Sequence, residues 1–141
     1  MQFCSGGGGG TGTVTDIDGN TYNTVQIGTQ EWMKENLKVS KYRNGDNIPN
    51  ITNNTQWSQT NTLSTGAWCN YNNDANNGTT YGKLYNWYAV ADPRGVCPTG
   101  WHVPTDNEFN LLGNTLGGDS VAGGAMKAVN LGFSAPNTGA T

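Results

Sequence analysis

Residues 81–116 read YGKLYNWYAVADPRGVCPTGWHVPTDNEFNLLGNTL, and no other stretch limits the fold so tightly. Leu84, Trp87, Tyr88 and Ala91 recur at i, i+3, i+4 and i+7, the spacing that draws one apolar stripe along a helix. Thr79 or Thr80 is the expected N-cap, and Asp92-Pro93 the expected stop, because proline has no amide hydrogen to continue the ladder. Residues 100–104 (GWHVP) are too few for a helix and read as a strand. Thr105-Asp106-Asn107-Glu108 has the form of a capping box, in which hydroxyl and carboxylate each accept the other residue's amide hydrogen. Phe109, Leu112 and Leu116 follow at i, i+3 and i+7, and Gly117 suits the left-handed residue that ends a helix. The expectation is two amphipathic helices bracketing one aromatic strand, which together make half a core.

The rest of the chain is read against that half-core. Residues 13–27 place β-branched side chains on both sides of Asp18-Gly19, a hairpin signal. Val14 and Ile17 differ in parity, so a bulge or an early turn is expected there. Asp16-Ile17-Asp18-Gly19-Asn20 has a faint likeness to a calcium loop. The twelfth position, where that loop needs a glutamate, is Ile27, so a turn is the preferred reading. Trp32 and Leu37 are expected as buried anchors, and residues 41–49 as a strand turning at Asn44-Gly45. Residues 52–65 are polar around Trp57 and promise a helical turn at most. Trp68, Cys69 and Tyr71 are assigned to a strand, and residues 72–80 to a loop. Gly123-Gly124 weakens any helix past residue 118.

Composition excludes several functions. Charged residues are 12% of the chain, about half the usual fraction of a soluble domain, and the net charge is −3. No basic field exists to hold nucleic-acid phosphates. No apolar run nears the ~20 residues that span a bilayer. An uncharged surface rich in Asn, Thr and Gly suits an extracellular module. Residues 1–12 hold five consecutive glycines and are assigned as a flexible tether, with residues 13–141 as the folded unit. Cys4 ahead of the glycines has the form of a mature lipoprotein's lipidated cysteine, though an ordinary chain start would look the same.

CPTGWHVPTDNEF, preceded by GKLYNWYAV and, upstream, by DIDGNTYNTVQIGTQEWMKENL and KYRNGDNIPN, closely resembles the Fibrobacter succinogenes major paralogous domain. The resemblance runs over residues 14–141 and implies an α+β variant of the C-type lectin-like fold: two helices on small antiparallel sheets with long loops. That fold is shared with formylglycine-generating enzymes. It implies a bacterial cell-surface or extracellular module that binds a glycan or a surface protein without catalysis. In the family, a segment like SAPNTGAT sits mid-domain, so the C-terminal part of the domain is expected to be missing. The alternative is then a structural subunit that self-associates, its neighbours completing the fold over Trp87, Trp101, Phe109 and Leu112. Cys97 resembles the family cysteine that pairs with a C-terminal partner absent here. A Cys69–Cys97 bridge is one of the three pairings open to three cysteines, since sequence alone does not give connectivity.

Candidate site residues follow. Trp57, Trp68 and Tyr71 could stack on sugar rings, or equally serve the core. Calcium is the cofactor to consider, with Asn72, Asn73 and Asp74 as its oxygen donors, although asparagine-rich loops are usually turns. Asn50, Asn53 and Asn77 head Asn-x-Thr sequons, and Ser120 lies in an Asp-Ser-Val resembling a bacterial O-glycosylation signal. His102, the only histidine, reads as a packing residue, and no catalytic residue is assigned.

Overall fold

The computed structural model describes residues 4–6 and 12–126. A five-stranded antiparallel sheet has the order β2-β3-β4-β1-β7. Its strands are β1 (Ser5–Gly6), β2 (Thr13–Thr15), β3 (Thr21–Ile27), β4 (Gln30–Met33) and β7 (Trp101–His102). A second sheet pairs β5 (Trp68–Cys69) with β6 (Leu84–Tyr85). Five α-helices complete the described residues: α1 (Asn54–Leu63), α2 (Ala75–Tyr81), α3 (Trp87–Val90), α4 (Asp106–Thr115) and α5 (Asp119–Ala125). The fold is α+β.

The hairpin forms where the sequence puts it. β2 pairs with β3 from Thr13↔Asn23 to Thr15↔Thr21, and the early turn leaves Ile17 exposed. The turn is fastened from inside by Asp16. Its Oδ1 accepts the amide hydrogens of Asp18 and Asn20, and its Oδ2 accepts from the Asn20 side chain and, at 2.6 Å, from the Tyr22 hydroxyl. Tyr22 in turn accepts the Lys38 amide hydrogen, and burial beside Asp16 pushes its phenol well above the ordinary range. Asp18 Oδ2 receives both the amide and the hydroxyl of Ser40. Asp16 is thus saturated by protein donors, and Asp18, with Lys41 Nζ 3.4 Å from its other oxygen, fastens the following loop to the turn.

Trp32 and Leu37 are buried as expected, Leu37 within a core cluster that also holds Tyr22, Met33, Val39, Tyr42, Ile48, Tyr85 and Val96. Tyr85 donates to the Val39 carbonyl at 2.6 Å, so the buried hydroxyl keeps a partner. α4 lies against β4 through the Trp32–Phe109 ring pair, 5.5 Å between centroids, and through Gln30, which donates to the Glu108 carbonyl. The capping box at Thr105 and Glu108 is present, Leu112 is buried, and Gly117 has the left-handed φ of +100°.

Several expectations are corrected. The helix through Leu84, Trp87, Tyr88 and Ala91 does not form. Leu84 and Tyr85 pair with Cys69 and Trp68, and Asn86 then caps a single turn, Trp87–Val90. Asn86 accepts the Ala67 and Ala89 amide hydrogens and donates to the Thr65 carbonyl, so this one side chain fixes where the strand ends. Trp87 is consequently 72% exposed, and Ala89 is buried in its place. Of the face expected to need cover, Leu112 is sealed and Trp101 is half-buried, while Phe109 remains 42% exposed.

Residues 41–49 give only a Lys41↔Asn47 bridge around the Asn44-Gly45 turn. Residues 52–65 contain the full helix α1, and most of the loop expected at 72–80 is taken up by α2. Thr79 and Thr80 close that helix rather than cap the next one. Tyr71 leaves the strand for a 3₁₀ turn, Tyr71–Asn73. α5 forms despite its glycines, with Ala122 buried.

The largest correction is at the beginning of the chain. Residues 4–6, expected within a tether, form the strand between β4 and β7: Ser5 faces Trp32 on one side and His102 on the other. Cys4 is 1% exposed and bonded to Cys97. Cys69, one candidate partner of Cys97, is free. The Cys4 sulfur that a lipid anchor would require is engaged in this disulfide.

Candidate functional site

The N-terminus of α1, β5, the 3₁₀ turn and β6 surround an open groove of about 400 Å³. Asn53 sets one wall: its amide oxygen accepts the Thr55 and Gln56 amide hydrogens and so fixes where α1 begins. One turn along α1, Trp57 is half-buried on a mostly polar helix and lines the groove. Asn72 and Asn73 form the facing wall. Both hold φ +54°, which asparagine tolerates better than most residues, and Asn73 donates across the groove to the Thr52 carbonyl. Cys69, Asn70 and Leu84 complete the lining, where burial raises the Cys69 thiol. No lining residue carries a formal charge at neutral pH.

The groove gathers Trp57, Asn72 and Asn73 from the expected residues and leaves out Trp68, Tyr71 and Asp74. Trp68 is engaged elsewhere: its indole N–H donates to the Ile48 carbonyl and Lys83 Nζ sits 4.0 Å over its ring. Tyr71 is exposed, and its carbonyl accepts from Asn77. Asp74 caps α2 by accepting the Asn76 amide hydrogen. The three proposed calcium donors therefore do not converge, and their one carboxylate lies outside the groove. They do not fit a cation that takes six to eight oxygens. Among the described residues no group of three or more His, Cys, Asp or Glu could hold a metal ion.

Of the sequon asparagines, Asn50 and Asn53 are exposed, whereas Asn77 is half-buried with its amide nitrogen donated to Tyr71. Ser120 is exposed in the first turn of α5. Sequence reasoning singles out Asn53 only as a sequon asparagine, missing its role as cap and groove residue, and does not single out Asn70 at all. For Asn53 the signal was there, since Asn53-x-x-Gln56 is a helix-start pattern. Nothing local marks Asn70.

A second polar cluster lies at β1 and β7. His102 Nε2 stands 2.7 Å from Glu108 Oε1 and 3.3 Å from Ser5 Oγ. A nucleophile–base–acid relay needs serine and carboxylate on opposite ring nitrogens. Here both address the same nitrogen. Glu108 is also held by the Thr105 amide and hydroxyl, which together with His102 keep its carboxyl below the usual range. The cluster ties α4 to the sheet.

With the aromatic strand, capped helix and hairpin in place, the family comparison becomes decisive: the family model for the Fibrobacter succinogenes major domain matches residues 25–140. The chain belongs to the Fibrobacter succinogenes major domain family. No curated protein and no solved structure matches it. The groove of this Fibrobacter-type domain, residues 51–84, lies wholly within the matched segment. β1 and β2 lie outside it. Among the described residues no helix is long and apolar enough to cross a membrane.

Proposed function

We propose that this domain is a non-catalytic module of the bacterial cell surface or extracellular space that binds a neutral glycan in the Trp57 groove. One observation carries the reading: a half-buried tryptophan shares a concave surface with five asparagines, Thr52, Cys69 and the apolar Ile51 and Leu84, with no charged residue among them. Sugars present the complementary surface, a C–H face for the indole and hydroxyls for the amides, and no carboxylate or ammonium needing an ionic partner. A lectin-like function thus rests on Trp57 rather than on calcium, and the C-type lectin-like fold is the lineage we infer from the Gly100–Phe109 segment. An extracellular setting is supported by the buried Cys4–Cys97 disulfide, since such bonds persist in oxidising compartments. A surface protein displaying such glycans is the corresponding macromolecular partner.

The test is a glycan array with and without chelator, followed by titration calorimetry on Trp57→Ala. The expected result is chelator-insensitive binding of a neutral oligosaccharide, weakened about tenfold or more by the substitution, a size typical of losing an aromatic anchor. Ligand should also protect Cys69 from alkylation, because its side chain lines the same groove. Absence of binding to any neutral glycan, or binding indifferent to Trp57→Ala, would sink the reading.

A further inference from the structure

We propose that the slot between β4 and β7 accepts the Cys4–Gly6 segment of a second copy of this chain, locked across copies by Cys4 and Cys97. The inference is independent of the groove. β1 is only two residues long, yet it pairs with both neighbours: Ser5 with Trp32 and His102, Gly6 with Glu31 and Trp101. The slot is selective for its occupant. A Cβ on residue 6 would stand 2.6 Å from the Trp101 ring, so only glycine fits there, and Cys97 requires a cysteine two residues earlier. A foreign strand rarely meets both conditions, whereas another copy meets them by definition.

The same contacts form whether the strand comes from its own chain or another, so connection length decides between them. β1 stands fourth in the sheet, and Gly12 accepts from Thr24 on the far side of β3. Gly6 and Gly12 are thus three strand spacings apart, about 14 Å across the sheet. They are also offset along the strands by about two residues, roughly 7 Å. The chain from 6 to 12 reaches at most about 21 Å. A short connection over such a span is the circumstance that favours exchange between copies.

The covalent step is thiol–disulfide exchange with no net oxidation. A small thiolate attacks one sulfur of Cys4–Cys97, forms a mixed disulfide and releases the other as thiolate. A cysteine thiolate of one copy then attacks the mixed disulfide of another, joins Cys4 to Cys97 across the copies and expels the small thiol unchanged.

Light and heavy-isotope copies of the full chain, both Cys69→Ser to remove the free thiol, are mixed with reduced and oxidised glutathione. They are then quenched by alkylation and mapped by mass spectrometry without reduction. The expected result is light–heavy Cys4–Cys97 peptide pairs, with covalent species at multiples of 15.0 kDa that collapse on reduction. Same-isotope pairs alone would overturn the proposal. A heavy Gly6→Val copy should fail to contribute its Cys4 to hybrids while still receiving light Cys4 at its Cys97. If its Cys4 joins as readily as that of the unaltered chain, sulfur contact rather than strand insertion is responsible, and the proposal falls.

Discussion

The hairpin region, residues 12–48, and the groove region, residues 50–86, are both rich in polar side chains, yet they use them in opposite ways. In the first, carboxylates point inward and collect donors: Asp16 alone accepts four hydrogen bonds within the turn and from Tyr22. In the second, the side chains of Asn53, Asp74 and Asn86 each cap the helix that follows, and Asn86 also ties Thr65 and Ala67 to its turn. Local capping leaves a concave, uncharged surface between the short elements. A buried, saturated carboxylate serves the fold and has nothing left for a ligand. In the groove region the Asn53 cap and its neighbours Asn70, Asn72 and Asn73 leave amide groups along a concave surface.

Perturbation should expose this contrast, with the largest effect where distant segments are clamped. Cys97→Ala removes a crosslink of sequence separation 93 and should lower stability by about 4 kcal/mol, read from urea melts with and without reductant. If reductant leaves the unaltered chain's midpoint in place, β1 does not depend on the disulfide. Next comes Asp16→Ala, which strands the Tyr22 hydroxyl and two amide hydrogens in the interior and should cost about 3 kcal/mol in the same melts. A loss below that of an ordinary helix cap would erase the distinction between the regions. Asn53→Ala, in the groove region, should cost about 1 kcal/mol and shift only the α1 end, visible in amide exchange at Thr55 and Gln56.

The smallest effect is acid loss. The Arg94 guanidinium holds the Asp92 carboxyl down at about 2, and the Thr105 amide lowers Glu108. Folded values below the unfolded ones mean stability that is present above about pH 4 and lost as pH falls towards 2. The Asp92–Arg94 pair lies where solvent screens it, so its share should be small. The urea midpoint of Arg94→Gln should therefore decline less steeply below pH 4 than that of the unaltered chain. Parallel declines would assign the acid sensitivity to other groups.

What could be read in advance follows the same division. Thr105 with Glu108, Asp18-Gly19, and Asn44-Gly45 act over four residues or fewer, and each was legible because donor and acceptor are fixed by chain geometry. The stripe from Leu84 to Ala91 was equally regular and still failed. Pairing with Trp68 and Cys69, and the Asn86 cap, outweighed a periodicity that helix and strand can share over so few residues. In the groove, Trp57 could be named from the sequence, whereas its juxtaposition with Asn70 and Asn72 could not.

By itself, then, the sequence determined the Thr105–Glu108 cap, the turns at Asp18-Gly19 and Asn44-Gly45, the buried anchors Trp32 and Leu37, and the family. Only the tertiary structure decided that Cys97 bonds Cys4 rather than Cys69, and that residues 4–6 enter the sheet beneath Trp101. The physical reason is range. A cap or turn closes a ring of a few bonds whose geometry is written locally, whereas a disulfide between residues 4 and 97 depends on how every intervening element packs.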